Sequence, residues 1–183
     1  MNFTPLSLSQ AYLVEPTIHV DDRGAFYRYF CKEEFREIGH TGEWVQLNHS
    51  FTKEPGTIRG MHYQLPPHTE IKLVRCISGK VFDVIIDVRE GSPTFLNWFG
   101  TELAAANRKM LYIPQGFAHG FQTLTDDCEL IYHHSAYYTK GFEGGIRFDD
   151  PLINIHWPLP ARNVSERDRD HPLLTTGFTG IKL

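Results

Sequence analysis

Three motifs of this sequence place proton-handling side chains among glycines and aromatic residues. His62 lies in IRGMHYQ, His119 in IPQGFAHGF and Tyr132 in IYHHSAYY. An imidazole titrates near neutral pH, so it can act as a general base or bind a metal ion. A phenol stays protonated at neutral pH and can deliver a proton. The motifs therefore raise two alternatives, a metal centre and acid–base chemistry without a metal.

The segment around His119 resembles the second motif of the cupin barrels, P-x-G-x-x-H, whose histidine usually binds a metal. Pro114, Gly116 and His119 occupy the fixed positions of this motif. The first cupin motif, G-x5-H-x-H-x3,4-E-x6-G, has its glycines matched in spacing by Gly60 and Gly79. The resemblance thus covers the frame of both motifs, and the ligand positions decide whether a metal binds.

Two ligand positions of these motifs hold residues that cannot bind a divalent cation. Pro66 has no donor atom, and Lys72 places an ammonium where the carboxylate would be. His68 and His119 remain, and two imidazoles rarely hold a metal on their own. The nearest substitutes in sequence are His62 and Glu70. We expect neither a metal nor another cofactor, and we interpret His119 as a hydrogen-bonding residue of a pocket.

The elements that must position these residues show the two-residue periodicity of β-strands. In KVFDVIIDV, apolar residues on one face alternate with Asp83 and Asp87 on the other. CELIYHHSAYY is β-branched and aromatic, and one continuous strand would place Tyr132, His134 and Tyr138 on a common face. Further short strands are predicted for GTIRGMHYQ, IKLVRCIS, TFLNWFG and GFAHGFQTL, with turn signals between them.

Helix is predicted only in CKEEFREIG (31–39) and in VSERD, where Ser165 can cap a short helix that includes Asp168. No repeat or linker divides the 183 residues, of which 41% are hydrophobic. This length suits one domain with a substantial core. The sequence therefore predicts a single domain over 1–183, an all-β, cupin-like jelly-roll barrel with a few short helices.

Composition excludes several classes of function. The formal net charge is -4 and basic residues are scattered, so we expect no nucleic-acid partner. Residues 1–16 lack the pattern of a signal peptide and no apolar run approaches the length of a membrane span, so a cytoplasmic protein without membrane contact is expected. Cys31, Cys76 and Cys128 are widely spaced, and we expect buried, reduced thiols.

Longer motifs carry a resemblance to a known family. IRGMHYQ, KLVRCISGKVFDVIIDVREGSPT, ANRKMLYIPQGFAHGF, IYHHSAYY and GGIRFDDPLINIHWP resemble the dTDP-4-dehydrorhamnose 3,5-epimerase family in order and spacing, from about Arg23 to Asp168. The resemblance implies a metal-free cupin-like barrel, usually a homodimer. It implies an isomerase that acts on nucleotide-linked 4-keto-6-deoxy sugars in activated-sugar biosynthesis.

The resemblance assigns a base, its carboxylate partner and an acid. A ketone at C4 acidifies the hydrogens on C3 and C5, so epimerisation needs a base on one face of the ring and a proton donor on the other. The family's base corresponds to His62, its orienting carboxylate to Asp168 and its acid to Tyr132, although Asp170 lies close enough to compete with Asp168. Stabilisation of the enolate oxygen falls to Lys72, His119 and Arg59.

The resemblance also suggests residues that contact the nucleotide sugar. Arg23 and Arg59 would hold the diphosphate, Phe26 and Tyr138 would lie near the base, and further contacts would come from Gln46, Asn48, Glu143 and Arg167.

Several positions depart from the usual pattern of the family, mostly near the expected nucleotide. Arg28 stands where a glutamate is usual, Leu47 where an aspartate is, Glu70 where glutamine is common and Arg167 where lysine is. An arginine suits cytosine N3 better than the N3–H of thymine. The alternatives are therefore a CDP-linked substrate, a single-centre 3- or 5-epimerase, and a non-catalytic sugar-binding barrel.

Overall fold

Antiparallel strands account for most of the regular secondary structure of the computed structural model, which describes residues 1–183. The strands are β1 (Asn2–Pro5), β2 (Tyr12–Glu15), β3 (Ile18–Asp21), β4 (Gly24–Tyr27), β5 (Gln46–Thr52), β6 (Ile58–Gln64), β7 (Lys72–Ser78), β8 (Lys80–Asp87), β9 (Trp98–Ala104), β10 (Met110–Ile113), β11 (Phe117–Thr123), β12 (Cys128–His134) and β13 (Glu143–Gly145). The helices are α1 (Lys32–Phe35), followed directly by a 3₁₀ turn at Arg36–Ile38, and α2 (Glu166–Arg169). No helix has the length and apolar character needed to cross a bilayer.

Two sheets form the body of the fold. The larger has six strands in the order β1-β2-β10-β7-β12-β5, and the smaller has five in the order β13-β6-β11-β8-β9. Strands β3 and β4 pair only with each other, as a separate hairpin. Strands distant in sequence are neighbours in both sheets, which is typical of a jelly roll. The predicted all-β jelly-roll fold is confirmed.

The main core lies between the two sheets. Val74 and Cys76 of β7 belong to one buried cluster with Val81 and Ile85 of β8 and Phe121 of β11. These residues alternate along their strands, as the two-residue period requires. Because Ile85 is fully buried, its truncation to alanine removes packing worth about 2–5 kcal/mol.

The outer faces of the sheets are covered as well. Val84 and Ile86 of β8 pack with Ile153 from the C-terminal segment, whereas Leu73 on the larger sheet packs with Phe35 of α1. Strand β8 is therefore buried on both faces. The predicted alternation holds there, and its two aspartates, Asp83 and Asp87, are 0% exposed.

The strand predicted for CELIYHHSAYY is shorter than the sequence indicates. Strand β12 ends at His134, and the backbone N–H of Ser135 then donates to the carbonyl of Ile71 at 3.0 Å. Tyr138 lies beyond this point and is 56% exposed. The expectation that Tyr138 shares a strand face with Tyr132 is therefore wrong, because the chain leaves the sheet between them.

Two other elements differ in extent from the predictions, and one cysteine differs in burial. The strand expected in TFLNWFG begins only at Trp98 and continues to Ala104. The helix expected over 31–39 is one turn of α-helix and one 3₁₀ turn, which Gly39 ends in the left-handed conformation at φ 82°. Cys31 is only partly buried, in contrast to the other cysteines, and all three thiols are free.

Helix α2 begins where the sequence predicts. The Oγ of Ser165 accepts a hydrogen bond from the backbone N–H of Asp168 at 3.1 Å, which satisfies one of the free donors of the first turn. Asp168 is the buried residue of this helix. The cap thus fixes the segment that carries the carboxylate.

Candidate active site

Strand β6 and helix α2 bring a histidine and an aspartate together. His62 Nε2 lies 2.6 Å from Asp168 Oδ1, and the other carboxylate oxygen accepts the backbone N–H of Gly60 at 3.2 Å. The Asp168 side chain is 4% exposed and that of His62 is 37% exposed. The structure brings Asp168 to His62, whereas Asp170 lies exposed at the C-terminal end of the helix.

Gly60 makes this contact possible through its conformation and the space it leaves. Its φ of +123° is rarely adopted by residues with a side chain, and an added Cβ would lie 2.6 Å from the Cα of Gly120. Strands β6 and β11 therefore approach closely here, where their register shifts between His119 and Phe121. Gly60, which matches the first glycine of the cupin motif, therefore allows the close approach of the two strands and donates its N–H to Asp168.

The ionisation of Asp168 decides which nitrogen of His62 can accept a proton. Burial opposes the charge, but the hydrogen bond and attraction from His62 and the bond from Gly60 outweigh it, and the pKa of Asp168 is lowered. The ionised carboxylate accepts the Nε2–H of His62. Nδ1 then carries the lone pair, and the imidazolium formed on protonation is stabilised by the same carboxylate.

Tyr132 meets the requirements of a proton donor. Its hydroxyl lies 2.9 Å from Ser50 Oγ on the adjacent strand β5. Burial raises the pKa of Tyr132, so the phenol is protonated at neutral pH. Sequence reasoning did not identify Ser50, because Ser50 and Tyr132 are brought together only when β5 pairs with β12 in the folded chain.

A second imidazole–carboxylate pair lies beside Tyr132. His119 Nε2 is 2.9 Å and 3.0 Å from the two oxygens of Asp83, and the side chains are 5% and 0% exposed. The rings of His119 and Tyr132 are 6.0 Å apart in an edge-to-face arrangement. Sequence reasoning recognised His119 as a hydrogen-bonding residue and missed its partner. The available signal was an aspartate within an otherwise apolar strand.

Lys72 lies in the interior of the fold, where its ammonium pairs with a carboxylate that also contacts a histidine. Its Nζ is 3.2 Å from Glu70 Oε1, while Glu70 Oε2 lies 2.6 Å from His134 Nδ1. The side chains of Lys72 and Glu70 are 10% and 9% exposed. The lysine that replaces a cupin metal ligand is thus held in place by a carboxylate.

Three adjoining cavities meet at His62. The inner cavity, about 270 Å³, is lined by Asn48, His49, Ser50, Arg59, His62, Lys72, His119, Phe121, Tyr132 and His134. The outer cavity, about 510 Å³, is lined by Gln46, Asn48, His62, Tyr63, Gln64, Glu70, Lys72, His134, Tyr138, Glu143 and Arg167. A side cavity of about 500 Å³ includes Arg59, His62, Ser165, Arg167 and Asp168. Most of the predicted site residues therefore line cavities that have His62 in common.

Three predicted substrate contacts lie outside these cavities. Arg23 and Phe26 lie on the β3–β4 hairpin and line a separate cavity of about 310 Å³. The Arg23 side chain is 90% exposed and pairs with Asp21 at 2.5 Å. Arg28 forms an ion pair with Glu34 of the same chain. Within one subunit, the structure does not bring these residues to His62.

The histidines of the cupin frame do not form a ligand set. His68 Nδ1 lies 3.2 Å from Thr139 Oγ1, whereas His119 is held by Asp83. The group of side chains whose arrangement could hold a metal is instead His62, Asp168 and His171, with ligand atoms within 4.8 Å of one another. Sequence reasoning did not identify His171 as a neighbour of the His62–Asp168 pair.

A family model and a curated relative with the same description both match this chain. The model of a family described as dTDP-4-dehydrorhamnose 3,5-epimerase matches residues 5–176. The protein of that name from Shigella flexneri is 43% identical over 169 residues, which is 92% of this chain and 93% of the relative.

Solved structures agree in fold over almost the whole chain. A dTDP-4-dehydrorhamnose 3,5-epimerase from Elizabethkingia anophelis has a TM-score of 0.92 at 37% identity, covering 97% of this chain and 98% of its own. ChmJ, a 3'-monoepimerase from Streptomyces bikiniensis, was solved with dTDP as a double mutant in which a histidine is changed to asparagine and a tyrosine to phenylalanine. It has a TM-score of 0.85 at 35% identity and covers 92% of this chain and 85% of its own.

Proposed function

This chain belongs to the dTDP-4-dehydrorhamnose 3,5-epimerase family, and on that premise we propose that it inverts C3 and C5 of dTDP-4-dehydro-6-deoxyglucose to give dTDP-4-dehydrorhamnose. The observation that carries the proposal is the inner cavity, which is lined by His62, Tyr132 and Lys72 together. A base, an acid and a cation around one cavity are the groups that an epimerisation through an enolate needs.

The first step removes a proton from the carbon next to the ketone. His62 Nδ1 takes the proton, the carbon–hydrogen bond breaks, and its electron pair moves onto the C4 oxygen as an enolate. The buried carboxylate of Asp168 stabilises the imidazolium that forms. The ammonium of Lys72, whose side chain is 10% exposed, stabilises the enolate oxygen because opposite charges attract more strongly when they are shielded from bulk water.

The second step returns a proton to the opposite face. The Tyr132 hydroxyl donates to the carbon as the enolate electrons form the new carbon–hydrogen bond. Because burial raises the pKa of Tyr132, the phenol holds its proton until this step. The assignment gains support from the ChmJ double mutant, whose substituted histidine and tyrosine are separated by the same number of positions as His62 and Tyr132.

The nucleotide part of the substrate is placed in the outer cavity. Gln46, Tyr138, Glu143 and Arg167 line it, and these residues provide amide donors, an aromatic face and a guanidinium. Arg28, which raised the alternative of a CDP-linked sugar, is neutralised by Glu34 of its own chain. Arg28 lines none of the three cavities that share His62, so it provides no cytosine contact within one chain, and the family match supports dTDP.

Inversion at a single centre is the second candidate function. It is favoured by the likeness to ChmJ, a 3'-monoepimerase with the same fold. One base and one acid can serve either one carbon or two, so the set of catalytic side chains is the same for both reactions. The difference lies in how the sugar is able to turn within the inner cavity.

We expect incubation with dTDP-4-dehydro-6-deoxyglucose in heavy water to incorporate deuterium at both C3 and C5. NMR of the recovered sugar measures the two positions separately, and the CDP-linked analogue provides the control for the nucleotide. Turnover should be unchanged in excess EDTA, since Lys72 stabilises the enolate in place of a metal. Exchange at one carbon alone identifies a monoepimerase, and exchange at neither carbon identifies a non-catalytic barrel.

A homodimer is proposed from the exposed β3–β4 hairpin. Val20 and Phe26 on this hairpin are 77% and 75% exposed, and neither strand joins a larger sheet. A two-stranded hairpin without further cover is marginally stable in water. A second copy of the chain would cover it, and Arg23 and Phe26 would then reach the nucleotide site of the partner.

Mixing two defective variants tests whether Arg23 acts across such an interface. Arg23→Ala should raise the KM about 10- to 100-fold by loss of a charge-assisted phosphate contact, and His62→Ala should remove the base. In a mixed dimer, one of the two sites regains both wild-type residues. Refolding the two variants together makes about half of the dimers mixed, so it should restore roughly a quarter of wild-type activity. If Arg23 serves its own subunit, the mixture will show no gain over the separate variants.

A further inference from the structure

A continuous row of hydrogen bonds lies along the wall of the outer cavity. The backbone N–H of Tyr138 donates to Gln46 Oε1 at 3.0 Å, and Gln46 Nε2 donates to Asn48 Oδ1 at 3.2 Å. Asn48 Nδ2 lies 3.3 Å from His134 Nε2, and His134 Nδ1 lies 2.6 Å from Glu70. The row therefore connects a loop at one end with a buried carboxylate at the other.

The direction of every bond in the row follows from its first member. A backbone N–H can only donate, so the carbonyl oxygen of Gln46 must face Tyr138 and its amide N–H faces Asn48. The oxygen of Asn48 accepts, and its amide nitrogen is left to donate to His134 Nε2. His134 Nε2 then accepts from Asn48, and the Nδ1–H of the same ring donates to Glu70.

Glu70 ends the row and also holds Lys72. Burial opposes its charge, but the hydrogen bond from His134 and the attraction of Lys72 outweigh it and lower the pKa of Glu70. The carboxylate uses one oxygen for each partner. Removing either partner leaves a buried charge with less compensation, so the three side chains constrain one another.

The row touches both parts of the proposed substrate site. Gln46 and Asn48 line the outer cavity, where the nucleotide part of the substrate is placed, and Asn48 and Lys72 also line the inner cavity. An amide side chain can present either its oxygen or its N–H₂ to a ligand, and the row removes that freedom. The donors and acceptors of Asn48 and Gln46 that form no bond within the row are therefore already oriented before the substrate binds.

We propose that Glu70 and His134 are positioning residues for the sugar nucleotide: Glu70 holds the Lys72 ammonium, and His134 fixes which groups Asn48 and Gln46 present to the substrate. This role rests on the proposed epimerase function. Both residues also line the cavities, and in this role His134 acts through Asn48 and Glu70 acts through Lys72.

Substitution of His134 separates this role from a purely structural one. His134→Leu removes the acceptor for Asn48 but keeps the Glu70–Lys72 pair, so the KM should rise about tenfold, as for loss of one hydrogen bond, with kcat within about twofold. His134→Gln offers an amide oxygen to Asn48 and an amide N–H to Glu70, and should retain a KM near that of the wild type. A residue that only packs would lower the melting temperature and leave both constants unchanged.

Substitution of Glu70 tests the other end of the row. Glu70→Leu offers no acceptor to Lys72 or to the proton-bearing Nδ1 of His134, whereas Glu70→Gln, the residue common in the family at this position, keeps one oxygen for the two donors and is the milder control. Because the lysine that stabilises the enolate loses its anchor in Glu70→Leu, kcat should fall about tenfold together with a rise in KM. The double variant with His134→Leu should be no worse than about twofold beyond Glu70→Leu alone, because both act through one network.

The matched control is His133→Leu, the adjacent histidine of β12, whose ring packs against Tyr29 on the other side of the sheet. It should leave KM unchanged. If the wild-type enzyme turns over and His134→Leu has the KM of the wild type, His134 is not a positioning residue. The proposed function is unaffected by that result. A wild-type enzyme that shows no epimerisation contradicts the proposed function itself.

Discussion

Replacing His62 with alanine is expected to lower turnover about 10²–10⁴-fold, the contribution typical of a general base, and to abolish deuterium incorporation at both C3 and C5. No proton can leave either carbon without a base, and His62 Nδ1 is the nitrogen left free by the bond between Nε2 and Asp168. Proton exchange in heavy water, followed by NMR, reports this step separately from inversion. Loss of exchange at both carbons therefore assigns one base to two reactions.

Two further substitutions make the His62 result specific. Asp168→Asn should also lower turnover strongly, because a neutral amide cannot stabilise the imidazolium. His156→Ala, at an exposed histidine outside the cavities, is the matched control and should be fully active. Exchange that persists at one carbon in His62→Ala would transfer the role of base at that carbon to another group, and His119 with Asp83 is the pair placed to take it.

The strands that carry the site were predictable because their periodicity is strong. Strands β6, β7, β8 and β11 match the predicted segments to within a few residues. The four strands between Asn2 and Tyr27 were not predicted, since each has only four residues and such segments are too short to show alternation. Strand β12 was overextended because the aromatic residues continue past His134 after the chain has left the sheet.

The side chains proposed as catalytic were identifiable from motifs, and their partners were not. His62, Tyr132 and Asp168 each lie in a segment that the family resemblance covers. The contacts of Tyr132 with Ser50 and of His119 with Asp83 join strands that are far apart in the chain, so no local pattern can reveal them. Glu70 stood out in the sequence as a possible substitute metal ligand and as a departure from the family pattern, and neither indicated its contact with His134, which the fold places beside it.

In a single chain, the β3–β4 hairpin does not bring its predicted nucleotide contacts to the cavities around His62. The resemblance places Arg23 and Phe26 at the nucleotide, yet both are exposed and line a cavity separate from that of His62. These two facts agree if the hairpin of one subunit completes the site of another. A motif-based prediction names the residues of a site but does not say which copy of the chain provides them.

Replacing Tyr132 with phenylalanine should have the opposite kinetic pattern to the loss of His62. The base is intact, so C3 and C5 should still exchange with heavy water at a rate within about tenfold of the wild type. Inversion should fall about 10²-fold or more, because the opposite-face proton donor is gone. The enolate then regains its proton mainly from the face on which His62 removed it.

The comparison of exchange with inversion in Tyr132→Phe distinguishes a proton donor from a packing residue. Phenylalanine keeps the ring that packs against the interior core, and only the hydroxyl that contacts Ser50 is lost. Ser50→Ala removes that contact but leaves the phenol, so it should slow inversion only a few-fold, as expected for one neutral hydrogen bond. Tyr137→Phe, at a 68% exposed tyrosine, controls for removal of a hydroxyl elsewhere. If Tyr132→Phe inverts both carbons at the wild-type rate, the hydroxyl delivers no proton and a different group must act on that face of the sugar.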